Sequence, residues 1–166
     1  FARADVQSNE LPIAERLGRR RQHVDLRQHP LSRFEIPRSR QLVAPVQLER
    51  IERLVATGRA EGATMWQPDW ARPQAGCFYP PTLFTDVQPS STIVQEEIFG
   101  PVLTLHVYPD TRWAETLALV DSTSPYALTG AVFAQDRRAL AEADQALRHA
   151  AGNYYVNDKP TGAVVG

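Results

Sequence analysis

Apolar positions become periodic only from about residue 44 onward. In "PVQLERIERLVATGRAEGA", Leu48, Ile51, Leu54 and Val55 recur at helical spacing, with Pro45 suited to the first turn and Gly58 to the end. "ATMWQ" and "TLFTDV" have the content of short strands, and "PDWARPQAGCFYPP" between them is a Pro- and aromatic-rich loop. "PVLTLHVY" reads as a buried strand from its β-branched and aromatic residues. Asp110 is placed to cap a helix over "TRWAETLALVDST", with Trp113, Leu117 and Val120 on one side. "LTGAVFA" is a second apolar strand. Asp136 is placed to cap "RRALAEADQALRHAA", where Leu140, Ala143, Leu147 and Ala150 make a stripe and Gly152 follows as the end signal. "NYYVND" is a third strand, its Tyr154 and Tyr155 packing on the two faces of a sheet.

From residue 101 the order is therefore strand, helix, strand, helix, strand. Helices between short apolar strands predict right-handed crossovers and a parallel sheet, an α/β fold. Such sheets meet ligands at the carboxyl ends of their strands, which here carry "YPD", "AQD" and "NDKPTG". Asn157, Asp158 and Lys159 at the last of these are as well explained by a polar turn.

Residues 1–40 show no sustained period and form an irregular arm, with "IAERLGRRRQHVDLRQ" its one stretch able to form a helix. Charge divides at the same place. Residues 1–40 hold nine arginines against five acids, a net of +4, and the remainder holds nine Lys and Arg against fourteen acids, a net of −5. The origin of this arm is open between a natural extension, a basic arm and an out-of-frame read. The overall charge of −1 gives no field that selects nucleic acid or an anionic membrane, and no aromatic platform interleaves the arginines. Cys77 is the single cysteine, so neither an internal disulfide nor a cysteine metal cluster can form; this fits a reducing, cytoplasmic setting. No apolar run reaches the roughly 18–20 residues of a membrane span. His106 reads as a strand residue and His149 as a solvated helix residue.

The passage that stands out is "GCFYPPTLFTDVQPSSTIVQEEIFGPV", residues 76–102. Its Gly-aromatic-Pro-Thr block (Gly76, Tyr79, Pro81, Thr82), followed by Glu96, Glu97, Phe99, Gly100 and Pro101, is similar to the cofactor-side segment of the NAD(P)-dependent aldehyde dehydrogenase superfamily. The resemblance covers about residues 41–166. "YPDTRWAETLALVDSTSPYALTGAVFAQDRRAL" and "LRHAAGNYYVNDKPTGAVVG" resemble the delta-1-pyrroline-5-carboxylate dehydrogenase branch, which oxidises glutamate semialdehyde to glutamate in proline breakdown. "LVAPVQLERIERLVATGRAEGATMWQPDW" looks more like a less typical branch that includes members with degenerate active sites. The substrate expectation therefore rests on the second half.

The resemblance implies a partial catalytic domain over residues 41–166, NAD as cofactor with NADP the alternative, a small aldehyde substrate and a homo-oligomeric parent. It implies that Glu97 accepts hydrogen bonds from both hydroxyls of the nicotinamide ribose, since one carboxylate can take two donors. Phe99 would limit the motion of the nicotinamide end, Gly100 and Pro101 would turn the chain to present both side chains, and Glu96 would point elsewhere. On spacing alone, Glu97 is a charged loop residue and Phe99 a core aromatic.

The family's nucleophilic cysteine forms a thiohemiacetal with the aldehyde, and a glutamate base assists release of the acid. The resemblance places both ahead of residue 1, and Cys77, within the Gly-aromatic block, does not match the nucleophile. The chain alone is accordingly expected to be inactive, with no catalytic residue of its own. The competing expectation is a non-catalytic module that only associates with partner subunits.

Overall fold

The computed structural model describes residues 42, 44–71, 73 and 75–160, all within the part of the chain where the apolar pattern is periodic. The predictions for residues 1–40 and for the "TGAVVG" end lie outside the described residues.

Helix α1 spans Pro45–Ala60, with proline in its first turn as predicted. Ile51, Leu54, Val55 and Gly58 make its buried face. Gly58 is thus inside the helix and does not end it. Its bare Cα lets Ile93 approach so closely that an added Cβ would lie 2.7 Å from Ile93 Cδ1. The end signal is Gly62, with φ +91°. The Ala63 N–H bonds to Gly58 O at 3.1 Å and the Gly62 N–H to Arg59 O at 3.1 Å, so the last carbonyls are satisfied by a Schellman pattern.

Strand β1 (Thr64–Trp66) pairs antiparallel with β2 (Thr82–Thr85), in the register Met65 opposite Phe84. Between β2 and the next strand lies a one-turn helix, α2 (Thr92–Gln95), which the apolar pattern did not predict because four residues carry no period. Its first turn is held by Glu61 at the end of α1, whose carboxylate accepts from the Thr92 N–H (2.8 Å) and from the Thr92 hydroxyl. Strand β3 (Val102–Thr104) pairs parallel with β2. A first core of Ile51, Leu54, Val55, Tyr79, Phe84, Val87, Ile93 and Ile98 fills the space between α1, α2 and this sheet.

The "PVLTLHVY" segment departs from prediction. Only residues 102–104 form strand, and Leu103 and Val107 are 63% and 65% exposed. β3 is an edge strand, so one side carries no neighbour among the described residues, and an apolar run does not reveal how many of its faces are covered.

A 3-10 turn at Asp110–Arg112 leads into α3 (Trp113–Ser122). Asp110 is the first residue of that turn and not the helix cap; the cap position of α3 is Arg112, which contributes no side-chain bond. Strand β4 (Thr129–Val132) follows, then α4 (Arg137–Ala146) and β5 (Asn153–Val156). Asp136 caps α4 as predicted, accepting from the Arg138 N–H at 2.8 Å. Gly152 does not end this helix, which stops at Ala146; its N–H instead bonds to Ala127 O at 2.7 Å and starts the approach to β5. Leu117, Val132, Ala143 and Leu147 form a second core, with Trp113, Leu140 and Tyr154 packed against it.

β4 and β5 pair in parallel, so the second predicted crossover, β4-α4-β5, and the α/β class stand. The first crossover and the single continuous sheet do not: among the described residues β3 and β4 do not pair with each other, and the strands form one sheet in the order β1-β2-β3 and another of β4 with β5.

Candidate functional site

The Gln95–Pro101 segment joins α2 to β3, and each of its residues is fixed by a different local force. α2 ends at Glu96, whose N–H closes the last turn on Thr92 O at 2.9 Å. Its side chain is exposed, with Glu96 Oε2 3.8 Å from Arg50 Nη2 and accepting from the Tyr126 hydroxyl at 3.4 Å. Arg50 also donates to the backbone carbonyl of Glu97 at 3.0 Å. Ile98 is driven into the first core, 8% exposed. Gln47 donates to Phe99 O at 2.9 Å. Gly100 is required by packing, since a Cβ there would clash with Cδ1 of the fully buried Ile51. Pro101 O accepts from the Thr82 N–H at 2.8 Å and opens the β2–β3 ladder.

Phe99 is the unusual residue of this loop. Its backbone is left-handed, φ +40°, and its ring is 67% exposed. A bulky side chain at positive φ is a strained arrangement, of the kind that concentrates at ligand clamps. Burial would be the ordinary fate of such a ring, yet the core takes Ile98 instead. Glu97, on the other side of Ile98, is half-buried, and its carboxylate makes no hydrogen bond or ion pair with the described residues. The loop therefore presents an uncommitted carboxylate and an uncovered ring on either side of a buried anchor. A carboxylate has the acceptors for a vicinal diol, and an exposed aromatic face has the shape for a planar ring. These residues fit a nicotinamide ribose.

Glu97 and Phe99, singled out from the sequence, lie in this one loop. Glu96, expected to point elsewhere, has its carboxylate near Arg50 and the Tyr126 hydroxyl. Gln47 and Arg50 were missed. They lie three residues apart on the polar side of α1, where sequence shows only a solvated helix face.

Asn157 and its neighbours do not join this loop. Asn157 is left-handed (φ +54°), donates its N–H to Val132 O at 2.8 Å, and ties its side-chain amide to both backbone groups of Ala134, at 2.9 and 3.0 Å. The polar-turn explanation holds for it, and Asp158 accepts from the Lys159 N–H at 2.8 Å. A cleft of about 280 Å³ lies at the "YPD" and "AQD" strand ends, lined by Tyr108, Asp110, Trp113, Asp136, Arg138 and Glu142. Its charges are largely occupied with each other: Arg138 is paired to Glu142 at 2.7 Å and Asp136 caps α4. Cys77 is half-buried, and no cluster of metal-ligating side chains occurs among the described residues.

Comparison with known proteins decides the wider identity. The model of the aldehyde dehydrogenase family matches residues 40–166. The chain belongs to the aldehyde dehydrogenase family. Among curated aldehyde dehydrogenases, the mitochondrial delta-1-pyrroline-5-carboxylate dehydrogenase of Bos taurus is 59% identical over 91 residues, covering 55% of this chain and 16% of that protein. The Homo sapiens protein of the same name is 55% identical over 91 residues, again 55% of this chain and 16% of that protein. Among solved structures, the Mycobacterium tuberculosis delta-pyrroline-5-carboxylate dehydrogenase is similar with a TM-score of 0.65 and 40% identity, over 76% of this chain and 23% of that one. A Thermus 1-pyrroline-5-carboxylate dehydrogenase with bound NAD gives 0.63 and 35%, with the same coverage of both chains. The chain thus spans about a sixth of the length of the curated relatives and about a quarter of the solved ones.

Proposed function

We infer that this chain supplies the nicotinamide-ribose side of the cofactor site in an aldehyde dehydrogenase that oxidises L-glutamate 5-semialdehyde to glutamate. The observation that carries this reading is the 97–99 loop, in which a carboxylate without a partner among the described residues and an exposed, strained ring flank a core-anchored isoleucine. The substrate class is supported by the pyrroline-5-carboxylate dehydrogenases at 55–59% identity. When bound, the dinucleotide accepts the hydride from the substrate. Glu97 holds the ribose by its hydroxyls, Phe99 restricts the nicotinamide end, and neither exchanges a proton with the aldehyde. Use of NAD over NADP, a homo-oligomeric parent and a cytoplasmic location belong to the same proposal; the NAD-bound solved relative supports the first. No helix among the described residues is long and apolar enough to cross a membrane.

A chimera tests the reading. Residues 42–160 replace the matching segment of the Mycobacterium tuberculosis enzyme, 40% identical in sequence. The expected result is NADH production from glutamate semialdehyde. A folded chimera that oxidises other small aldehydes but not this one would refute the substrate assignment, and one that binds no NAD would refute the site.

A further inference from the structure

We propose that Gln47 and Arg50 of α1 are positioning residues that clamp the 97–99 backbone, hold Phe99 in its left-handed conformation and keep Glu96 away from the ligand. The proposal rests on reading Glu97 and Phe99 as the nicotinamide-ribose side of a cofactor site.

Three observations carry it. The two side chains stand one helical turn apart and donate to the carbonyls on either side of Ile98: Arg50 Nη2 to Glu97 O at 3.0 Å and Gln47 Nε2 to Phe99 O at 2.9 Å. Second, Phe99 sits at φ +40°, and a non-glycine residue keeps such a conformation only where its surroundings over-determine it. Here Ile98 anchors one side of Phe99, Gly100 is wedged on Ile51 on the other, and the two donated bonds fix the carbonyls of Glu97 and Phe99. Without those bonds the loop loses the constraint that keeps its ring uncovered, and the ordinary outcome for an exposed phenylalanine is to turn inward. Third, Arg50 also lies 3.8 Å from Glu96, and Tyr126 reaches the same carboxylate. One arginine thus fixes the Glu97 carbonyl and attracts the neighbouring acid, which leaves the Glu97 carboxylate without a partner among the described residues. An exposed ion pair of that length contributes little to stability, so its consequence is orientation.

The test uses the whole chain, labelled with 15N and 13C, and nicotinamide mononucleotide as the probe, which carries the ribose diol and the nicotinamide ring. Gln47→Leu, Arg50→Met, the double variant and Arg50→Lys are compared with the native chain. Neither position is buried, so folding should survive, and melting temperature is followed as a control. In the free chain, backbone couplings of Phe99 report φ. The expected result is loss of positive φ in the double variant. Each donor-deleting variant should bind the nucleotide about three- to tenfold more weakly, as for one modest hydrogen bond, with melting within a few degrees of native. Arg50→Lys, which keeps a donor, should retain most of the affinity. Positive φ persisting in the double variant overturns the clamp. Weaker binding with Phe99 unmoved also overturns it, since the two residues then touch the ligand themselves. A native chain whose Glu97–Gly100 amides do not respond to the nucleotide sinks the cofactor reading and the positioning role with it, while the couplings of the free chain still decide whether the clamp exists.

Discussion

Gly58 shows how one residue can be read two ways. Glycine near the end of a helical pattern signals a cap, yet here it serves close packing against Ile93. Replacing it with alanine sets two effects against each other. Helix propensity favours alanine by about 1 kcal/mol, while a Cβ 2.7 Å from Ile93 Cδ1 overpacks the core at a cost of about 1–3 kcal/mol. Gly58→Ala is therefore expected to lower stability by about 1 kcal/mol in urea unfolding; a gain in stability would show that Ile93 yields freely. Tyr154 offers the opposite case. Its hydroxyl is buried and finds no hydrogen-bond partner among the described residues. Burial first, and Asp144 second, push its pKa above the usual 10.0. A raised acid binds its proton more tightly when folded, so this contribution is intact below pH 10 and is lost as pH rises through the folded value. Tyr154→Phe removes the orphaned hydroxyl. It should stabilise the chain by about 1 kcal/mol at neutral pH and weaken the alkaline decline in melting temperature. Glu97 and Phe99 were legible from a resemblance, not from local pattern, because a charged loop residue and an aromatic beside an isoleucine look the same with or without a ligand.

Elements with both a periodic face and an end signal were legible. α1 begins at its proline and α4 at its aspartate, and their stripes form the two cores. Asp136 is the only one of the two aspartates proposed as helix caps that acts as one, because a 3-10 turn intervenes after Asp110. Asp136→Ala should cost about 1 kcal/mol, seen as a lower melting temperature. An unchanged melting temperature would mean that the Asp136 cap contributes nothing to α4. The short strands β1 and β2 were legible from residue content, but two other features were not. α2 has four residues and is held by a carboxylate from another helix, and β3 gave no sign that it would lie at an edge. The α1 face that meets the loop was invisible for a related reason: Gln47 and Arg50 reach carbonyls that are distant in sequence.

At the scale of the whole molecule, the class of fold and the parallel pairings follow from the order of strands and helices, but the continuity of the sheet does not. Which strands neighbour one another depends on packing partners, and β3 and β4 find none in each other. Leu103, Val107 and Leu128 are each more than 60% exposed, and strand edges have no neighbour among the described residues. Open edges beside exposed apolar side chains favour association. Light scattering is expected to show concentration-dependent self-association of this chain, reduced by Leu103→Lys with Leu128→Lys. A monomer at all concentrations would show that these surfaces are self-sufficient. The central claim concerns a smaller part of the molecule, the division of labour between two adjacent acids. It is tested most directly by the KM for NAD of the chimeric enzyme carrying Glu97→Gln beside one carrying Glu96→Gln. Loss of a charged acceptor for two hydroxyls should raise the KM about tenfold for Glu97→Gln, and Glu96→Gln should stay within about twofold. A larger effect at Glu96, or none at Glu97, would contradict the account.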